Sequence, residues 1–217
     1  GGNPMVSNGS MWTVPDFRGK AKALRERGGQ LVVIDPRRSE TAAIADAHHF
    51  IRPGTDVYLL LGMVHTLFAE NLVKLGTAAP HLHGLAEVQS AVAAYPAEAM
   101  AVHCGMEAVT IRALARQLAQ AKRAVVYGRI GTCTQRFGTL NSWLIELLNI
   151  LTGNLDQAGG AMFAKSATFA ANTAGPAGIG KGVSTGRRKS RVSGAPEVMG
   201  ELPINCLAEE IETPGTG

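Results

Sequence analysis

The chain has 217 residues, 46% hydrophobic, 18% charged and 5% aromatic, with a formal net charge of +4. That is globular composition, enough for one good core or two modest ones, and no apolar run reaches the roughly 18 residues that a membrane helix needs. Arg187, Arg188, Lys189 and Arg191 carry four positive charges, and without them the rest of the chain is neutral. No basic face interleaved with aromatics runs along a helix, so the basic run reads as a solvated loop and nucleic acid is not an expected partner.

In chain order, Gly1-Gly2-Asn3-Pro4 is a reversal signal. A helix is predicted from about Val14 to Arg27, with Phe17, Ala21 and Leu24 on one face and Gly28-Gly29 as its stop. Leu31 to Ile34 reads as a buried strand that ends at Asp35-Pro36. Ser39 should cap a short helix to about Ala47, and Phe50-Ile51 a brief extended piece. Arg52-Pro53-Gly54-Thr55-Asp56 then leads into a longer helix in which Leu60, Val64, Leu67 and Phe68 keep helical spacing. Short helices are expected over 76–105, interrupted by Pro80 and Pro96, and a longer one from about Glu107 to Lys122. Ala124 to Tyr127 reads as a strand entering the glycine turn Gly128 to Thr132, with a leucine-striped helix beyond it to about Leu151. Strand and helix in alternation mean a parallel α/β sheet. Residues 164–200 are rich in Ala, Gly, Ser and Thr without apolar period, and read as loop or disordered chain. The acidic stretch Glu201 to Glu212 suggests one short helix.

The chemistry-bearing features lie at the ends of the strands. A tight turn at a helix N-terminus offers backbone N–H groups to a phosphate, and an acid closing the next strand reaches a ribose. Asp35 has that position relative to the Gly-Asn-Pro turn, although the turn lacks G-x-G-x-x-G; an ordinary βαβ turn is the other reading. Asp56 is either a helix N-cap or a carboxylate that accepts two parallel N–H bonds from a guanine edge. The turn Gly128-Arg129-Ile130-Gly131, with Gln135 behind it, either holds a pyrophosphate or is a plain βα connection. Gly153 and Asn154 end the following helix. Cys104, Cys133 and Cys206 lie far apart without C-x-x-C spacing, which by itself supports neither a disulfide framework nor a zinc or iron–sulfur site and favours a reducing compartment. Adjacent His48 and His49 point apart, and no histidine has a metal-ligand or catalytic arrangement.

Taken in order, Gly-Asn-Pro, Val-Ile-Asp-Pro-Arg-Arg-Ser-Glu-Thr-Ala, Ile-Arg-Pro-Gly-Thr-Asp, Tyr-Gly-Arg-Ile-Gly-Thr, Gln-Arg-Phe-Gly-Thr and Leu-Thr-Gly-Asn-Leu-Asp-Gln-Ala-Gly-Gly-Ala-Met-Phe resemble the molybdopterin oxidoreductases related to formate dehydrogenase, periplasmic nitrate reductase and dimethyl sulfoxide reductase. The resemblance covers nearly the whole chain and is weakest over 76–105 and 164–200. It implies Rossmann-like parallel sheets flanked by helices, as a fragment of a larger multidomain enzyme. It also implies a pair of molybdopterin guanine dinucleotides that hold one molybdenum or tungsten ion. Residues 1–105 resemble one guanine-dinucleotide-binding domain, 106–163 part of a second, and 164–217 are the loop-rich segment. Asn3 would sit by the phosphates, Asp35 and Arg37 by ribose and base, and Gly54 and Asp56 on the guanine. Gly128, Arg129, Gly131 and Gln135 would approach the second cofactor, with Gly153 and Asn154 supporting its turn.

No residue of the chain matches the family's metal ligand or its Cys-x2-Cys-x3-Cys cluster, so no catalytic or metal residue is assigned. The iron–sulfur cluster is expected upstream, and the isolated fragment is expected to be inactive. The expected function is two-electron redox of a small-molecule substrate, formate first and nitrate or another oxyanion as the alternative, with an electron-transfer subunit as a possible partner. The non-catalytic relative is the large iron–sulfur subunit of NADH dehydrogenase. An unrelated NAD-binding domain would want the glycine fingerprint that is absent. The expected location is cytoplasmic, with the periplasm as the alternative and no membrane insertion by this segment.

Overall fold

The computed structural model describes residues 2–8, 14–162, 185–198 and 201–215. The chain divides into two compact units, 1–162 and 163–217. The boundary expected at residue 105 falls inside the first, at the left-handed turn of Gly105 between two helices.

The first unit begins with the one-turn helix α1 (Pro4–Ser7) and α2 (Phe17–Glu26), which buries Ala21 as its spacing predicts. Asp16 caps α2 by accepting the Gly19 N–H at 3.0 Å. Strand β1 (Val32–Ile34) pairs in parallel with β2 (Ala47–His49), Val33 opposite His48, and α3 (Glu40–Ala43) forms the crossover. Ser39 caps α3 as expected, its Oγ accepting from the Ala42 N–H.

The helix stops four residues earlier than its alanines suggest, because Asp46 is claimed elsewhere. Its carboxylate accepts the Leu31 N–H at 2.7 Å and Arg25 Nε at 2.5 Å. These bonds, Leu31 first and Arg25 second, hold its carboxyl below the usual range. The second extended piece therefore forms at Ala47–His49 and not at Phe50-Ile51.

Six α-helices, one of a single turn, build the rest of this unit among the described residues. α4 (Asp56–Ala69) is apolar around much of its circumference and buries Val57, Leu59, Leu60, Met63, Val64 and Leu67, the signature of a central helix. Around it pack α5 (Leu85–Val92), α6 (Ala97–Cys104) and α7 (Ala108–Gln120). After the single turn of α8 (Ile130–Cys133), α9 (Gly138–Leu151) returns against α4 and contributes Leu144, Leu147, Leu148 and Leu151 to the same core. Lys74 N–H donates to Leu151 O at 2.7 Å and fastens the chain after α4 to the end of α9.

The expected strand at Ala124 to Tyr127 is not paired with any strand among the described residues. Side-chain amides take the place of a neighbouring strand. Val126 N–H donates to Asn149 Oδ1 at 2.8 Å, Asn149 Nδ2 donates back to Val126 O at 3.0 Å, and Ala124 N–H donates to Asn154 Oδ1 at 3.1 Å. The segment still turns alternate faces to the core, Ala124 and Val126 inward and Val125 and Tyr127 outward.

In the second unit, β3 (Thr185–Lys189) and β4 (Pro196–Val198) form an antiparallel pair, followed by α10 (Leu207–Glu212) in the expected acidic stretch. The basic run is thus partly a strand and not a loop, because the buried carboxylate of Glu197 organises it. Glu197, 1% exposed, accepts both the backbone N–H and the guanidinium of Arg187 at 3.2 Å. Arg191 donates to the carbonyls of Glu210, Thr213 and Pro214 around the end of α10. Residues 164–184, 199 and 200 of the stretch expected to be loop or disordered chain lie outside the described residues.

Replacing Asn149 by Leu strips Val126 of a donor and an acceptor partner at once. The chain should lose about 2–4 kcal/mol of stability in urea titration, given about 1–3 kcal/mol per unpaired buried group. A milder effect is expected where Arg116 grips Glu70 through both nitrogens, at 2.6 and 2.7 Å, joining the end of α4 to α7. Arg116 lowers the Glu70 pKa, so the stabilisation is present above the carboxyl's unfolded pKa and is lost as pH falls through the depressed folded value. For this part-exposed pair, Glu70→Gln should cost about 0.5 kcal/mol at pH 7, a difference that closes in acid unfolding series.

Candidate functional site

The residues that the sequence singles out fall into three clusters, all in the first unit. The first lies where the Gly2-Asn3 turn meets the start of α3. Asn3 Oδ1 accepts the Thr41 hydroxyl at 2.7 Å and the Thr41 N–H at 3.2 Å, while its Nδ2 donates to Glu40 at 2.7 Å. The side chain of Asn3 is therefore committed to holding its own turn on α3. A ligand at this turn would meet the backbone. Glu40's own backbone N–H first, and the Asn3 amide second, keep the Glu40 carboxyl below the ordinary range. Arg37 lies 3.3 Å from Glu40, and its N–H donates to Asp35 Oδ1 at 2.8 Å, closing the turn after β1.

The second cluster joins α4 to the chain before α9. Asp56 is the first residue of α4 and is half-buried; Thr55 precedes it without making a side-chain cap. Gly54 adopts φ 77°, a conformation that suits glycine, and the space where a Cβ would stand is empty to 4 Å. Gln135 Nε2 donates to Asp56 Oδ2 at 2.5 Å and also to the Gly131 carbonyl, while its Oε1 accepts Asn141 Nδ2 at 3.2 Å. Asn141 is 0% exposed and also donates to Thr132 O at 3.0 Å, but its Oδ1 has no hydrogen-bond partner. An orphaned buried acceptor costs about 1–3 kcal/mol.

Gly128 lies on the floor of this turn. A Cβ there would stand 2.4 Å from Ile145 Cδ1 and 2.7 Å from Thr132 Oγ1, so any larger residue would have to displace the ends of these two side chains. The two glycine turns also lie close together: a Cβ on Gly2 would stand 3.5 Å from Arg129 Cγ and 3.8 Å from Tyr127 Cε1.

The third cluster is supportive. Gly153 is packed on the backbone of Lys74 and Gly76. Asn154, 1% exposed, spends its amide on Ala124 N–H and Thr152.

Four features escape sequence inspection. Thr41 and Glu40 read as helix-forming residues, yet they anchor Asn3. Asn141 and Asn149, buried polar residues inside a leucine stripe, are the signal that was available for α9. Arg52 heads the Arg-Pro-Gly-Thr-Asp motif but serves α6, donating to the carbonyls of Val102 at 3.2 Å and His103 at 2.8 Å. His48 Nε2 lies 3.0 Å from the Asp35 carbonyl, and no group of three or more metal-ligating side chains occurs among the described residues. Cys104 and Cys206 are buried and Cys133 is exposed; burial pushes the Cys104 thiol up. No described helix is long and apolar enough to cross a membrane.

Gly128→Ala should destabilise the chain by about 1 kcal/mol, the low end of overpacking costs, because the end of the Ile145 side chain must move. Thermal unfolding measures this, and Ile145→Ala in the same chain should recover part of the loss.

Known proteins resemble this chain over much of its length. The family described as molybdopterin oxidoreductase matches residues 16–213. Formate dehydrogenase H of Escherichia coli K12 is 34% identical over 131 residues, 60% of this chain and 18% of that protein. The dimethyl sulfoxide/trimethylamine N-oxide reductase of Cereibacter sphaeroides is 32% identical over 173 residues, 73% of this chain and 20% of that protein. Among solved structures, acetylene hydratase from Pelobacter acetylenicus superposes with a TM-score of 0.60 at 29% identity, over 67% of this chain and 20% of that one. The chain thus spans about a fifth of the length of these relatives. Its α/β architecture, its ordered motifs and the family match over 16–213 agree: the chain belongs to the molybdopterin oxidoreductase family.

Proposed function

We propose that this chain supplies part of the grip on a guanine dinucleotide form of the molybdopterin cofactor, within a redox enzyme for small substrates. Formate is the first substrate class, and nitrate or another oxyanion the second. The observation that carries this reading is the bond from Gln135 to Asp56, which brings together two motifs 79 residues apart around one carboxylate.

The residues fit such a group. Gln135 is the one partner of the Asp56 side chain among the described residues, and a carboxylate has about four lone-pair sites. Two parallel N–H groups, as on a guanine edge, suit what is left. Open space over Gly54 leaves room beside it. Arg37 and Arg129 supply positive charge near the two turns, suited to phosphates. The metal carried by the pterin would supply the two-electron step, with the iron–sulfur cluster and metal ligand contributed from outside this chain. This chain's own residues bind and orient, and alone it turns over no substrate. A non-catalytic relative holding no guanine dinucleotide would have no use for this Asp56 environment.

By sequence, residues 1–105 would hold one dinucleotide and 106–163 part of the site for another. The closeness of Gly2 to Arg129, together with the Asp56–Gln135 bond, favours a narrower reading in which both turns of the first unit hold a single dinucleotide.

Calorimetric titration of the chain with GMP tests both readings. We expect one equivalent bound, and about 10- to 100-fold weaker binding by Asp56→Ala, from the loss of hydrogen bonds to a charged group. Two equivalents would restore the two-dinucleotide division. Equal binding by wild type and Asp56→Ala would refute the guanine assignment.

A further inference from the structure

We infer that Gln135 and Asn141 are positioning residues that set guanine specificity by fixing the orientation of the Asp56 carboxylate. This rests on the reading of Asp56 as the guanine acceptor.

Three side chains stand in series. Asn141 is 0% exposed on α9 and donates from Nδ2 to the Thr132 carbonyl at 3.0 Å and to Gln135 Oε1 at 3.2 Å. With its oxygen engaged in this way, Gln135 has only its nitrogen to turn toward Asp56, and Nε2 donates to Oδ2 at 2.5 Å. The same nitrogen donates to the Gly131 carbonyl, which fixes the amide from a second side. An amide so held has one polarity. It presents a donor to the carboxylate and consumes lone-pair capacity on Oδ2 alone.

An aspartate at the start of a helix is ordinarily free to turn its carboxylate toward its own backbone N–H groups as a cap. Asp56 makes no such bond among the described residues, and Gln135 holds it from outside the helix. A carboxylate with a fixed plane discriminates between ligand edges with one donor and with two; a rotating one accepts either. The unpartnered Oδ1 of Asn141 fits this role. An isosteric apolar side chain would avoid the orphaned oxygen but could not hold Gln135.

The test compares GMP with IMP, which lacks the 2-amino donor, on the full chain. Wild type should prefer GMP by about tenfold or more, the scale of a hydrogen bond to a charged group. Gln135→Met keeps the length of the side chain and removes its polar atoms, and should bring the preference to about threefold or less. Asn141→Ala should relax the preference in the same direction, and combining the two should add little beyond Gln135→Met, because Asn141 acts through Gln135. If Asn141→Ala does not fold, Gln135→Met alone decides. An unchanged GMP preference in Gln135→Met would overturn the positioning role while leaving Asp56 as the guanine acceptor. No GMP preference in wild type, unaffected by Asp56→Asn, would overturn the guanine reading itself.

Discussion

The structure depends on the burial of α4. This helix is apolar on most of its sides and is packed by α6, α7 and α9 at once. A helix enclosed in this way cannot slide or roll without opening contacts on several faces together. Its first residue, Asp56, is therefore held at a fixed point, and the loop that approaches it comes from the end of the chain that packs on the same helix. The polar contact between Asp56 and Gln135 follows from the apolar packing of α4 against α9.

Much of this was legible in the sequence. The helical spacing of Leu60, Val64 and Leu67 marks α4, the Ser39 cap marks α3, and the run from Val32 to Ile34 marks β1. Each is a local signal, in which neighbours in sequence determine the outcome. The ordered motifs likewise brought out the family, because their arrangement is more specific than any one of them.

What was not legible rests on partners distant in sequence. The Ala-rich helix stops at Ala43 because Asp46 bonds Leu31 and Arg25, residues that no local window includes. The segment from Ala124 to Tyr127 has the composition of a strand, but its hydrogen bonds go to asparagines of α9 and of the turn beyond it. The basic run reads as a loop until Glu197 is known to be buried beneath it. At the site, Asp56 and Gln135 are each visible as motif residues, while their union depends on how α4 meets α9. Asn141 carried a weaker mark: an amide inside a leucine stripe suggests a buried polar role without naming its partner.

The pairing of Asn149 with Val126 has a consequence for divergence among related sequences. The position needs an acceptor for one backbone group and a donor for the other, at the reach of a two-carbon amide. Aspartate would set a carboxylate oxygen against the Val126 carbonyl, glutamine would overshoot, and leucine would satisfy neither group. A fully buried site on an otherwise apolar helix, where substitution among Leu, Ile and Met is normally cheap, is thereby narrowed to a single residue type. Variation along α9 should be broad among its leucines and nearly absent at this asparagine, and the constraint would come from a backbone segment more than twenty residues upstream rather than from any ligand.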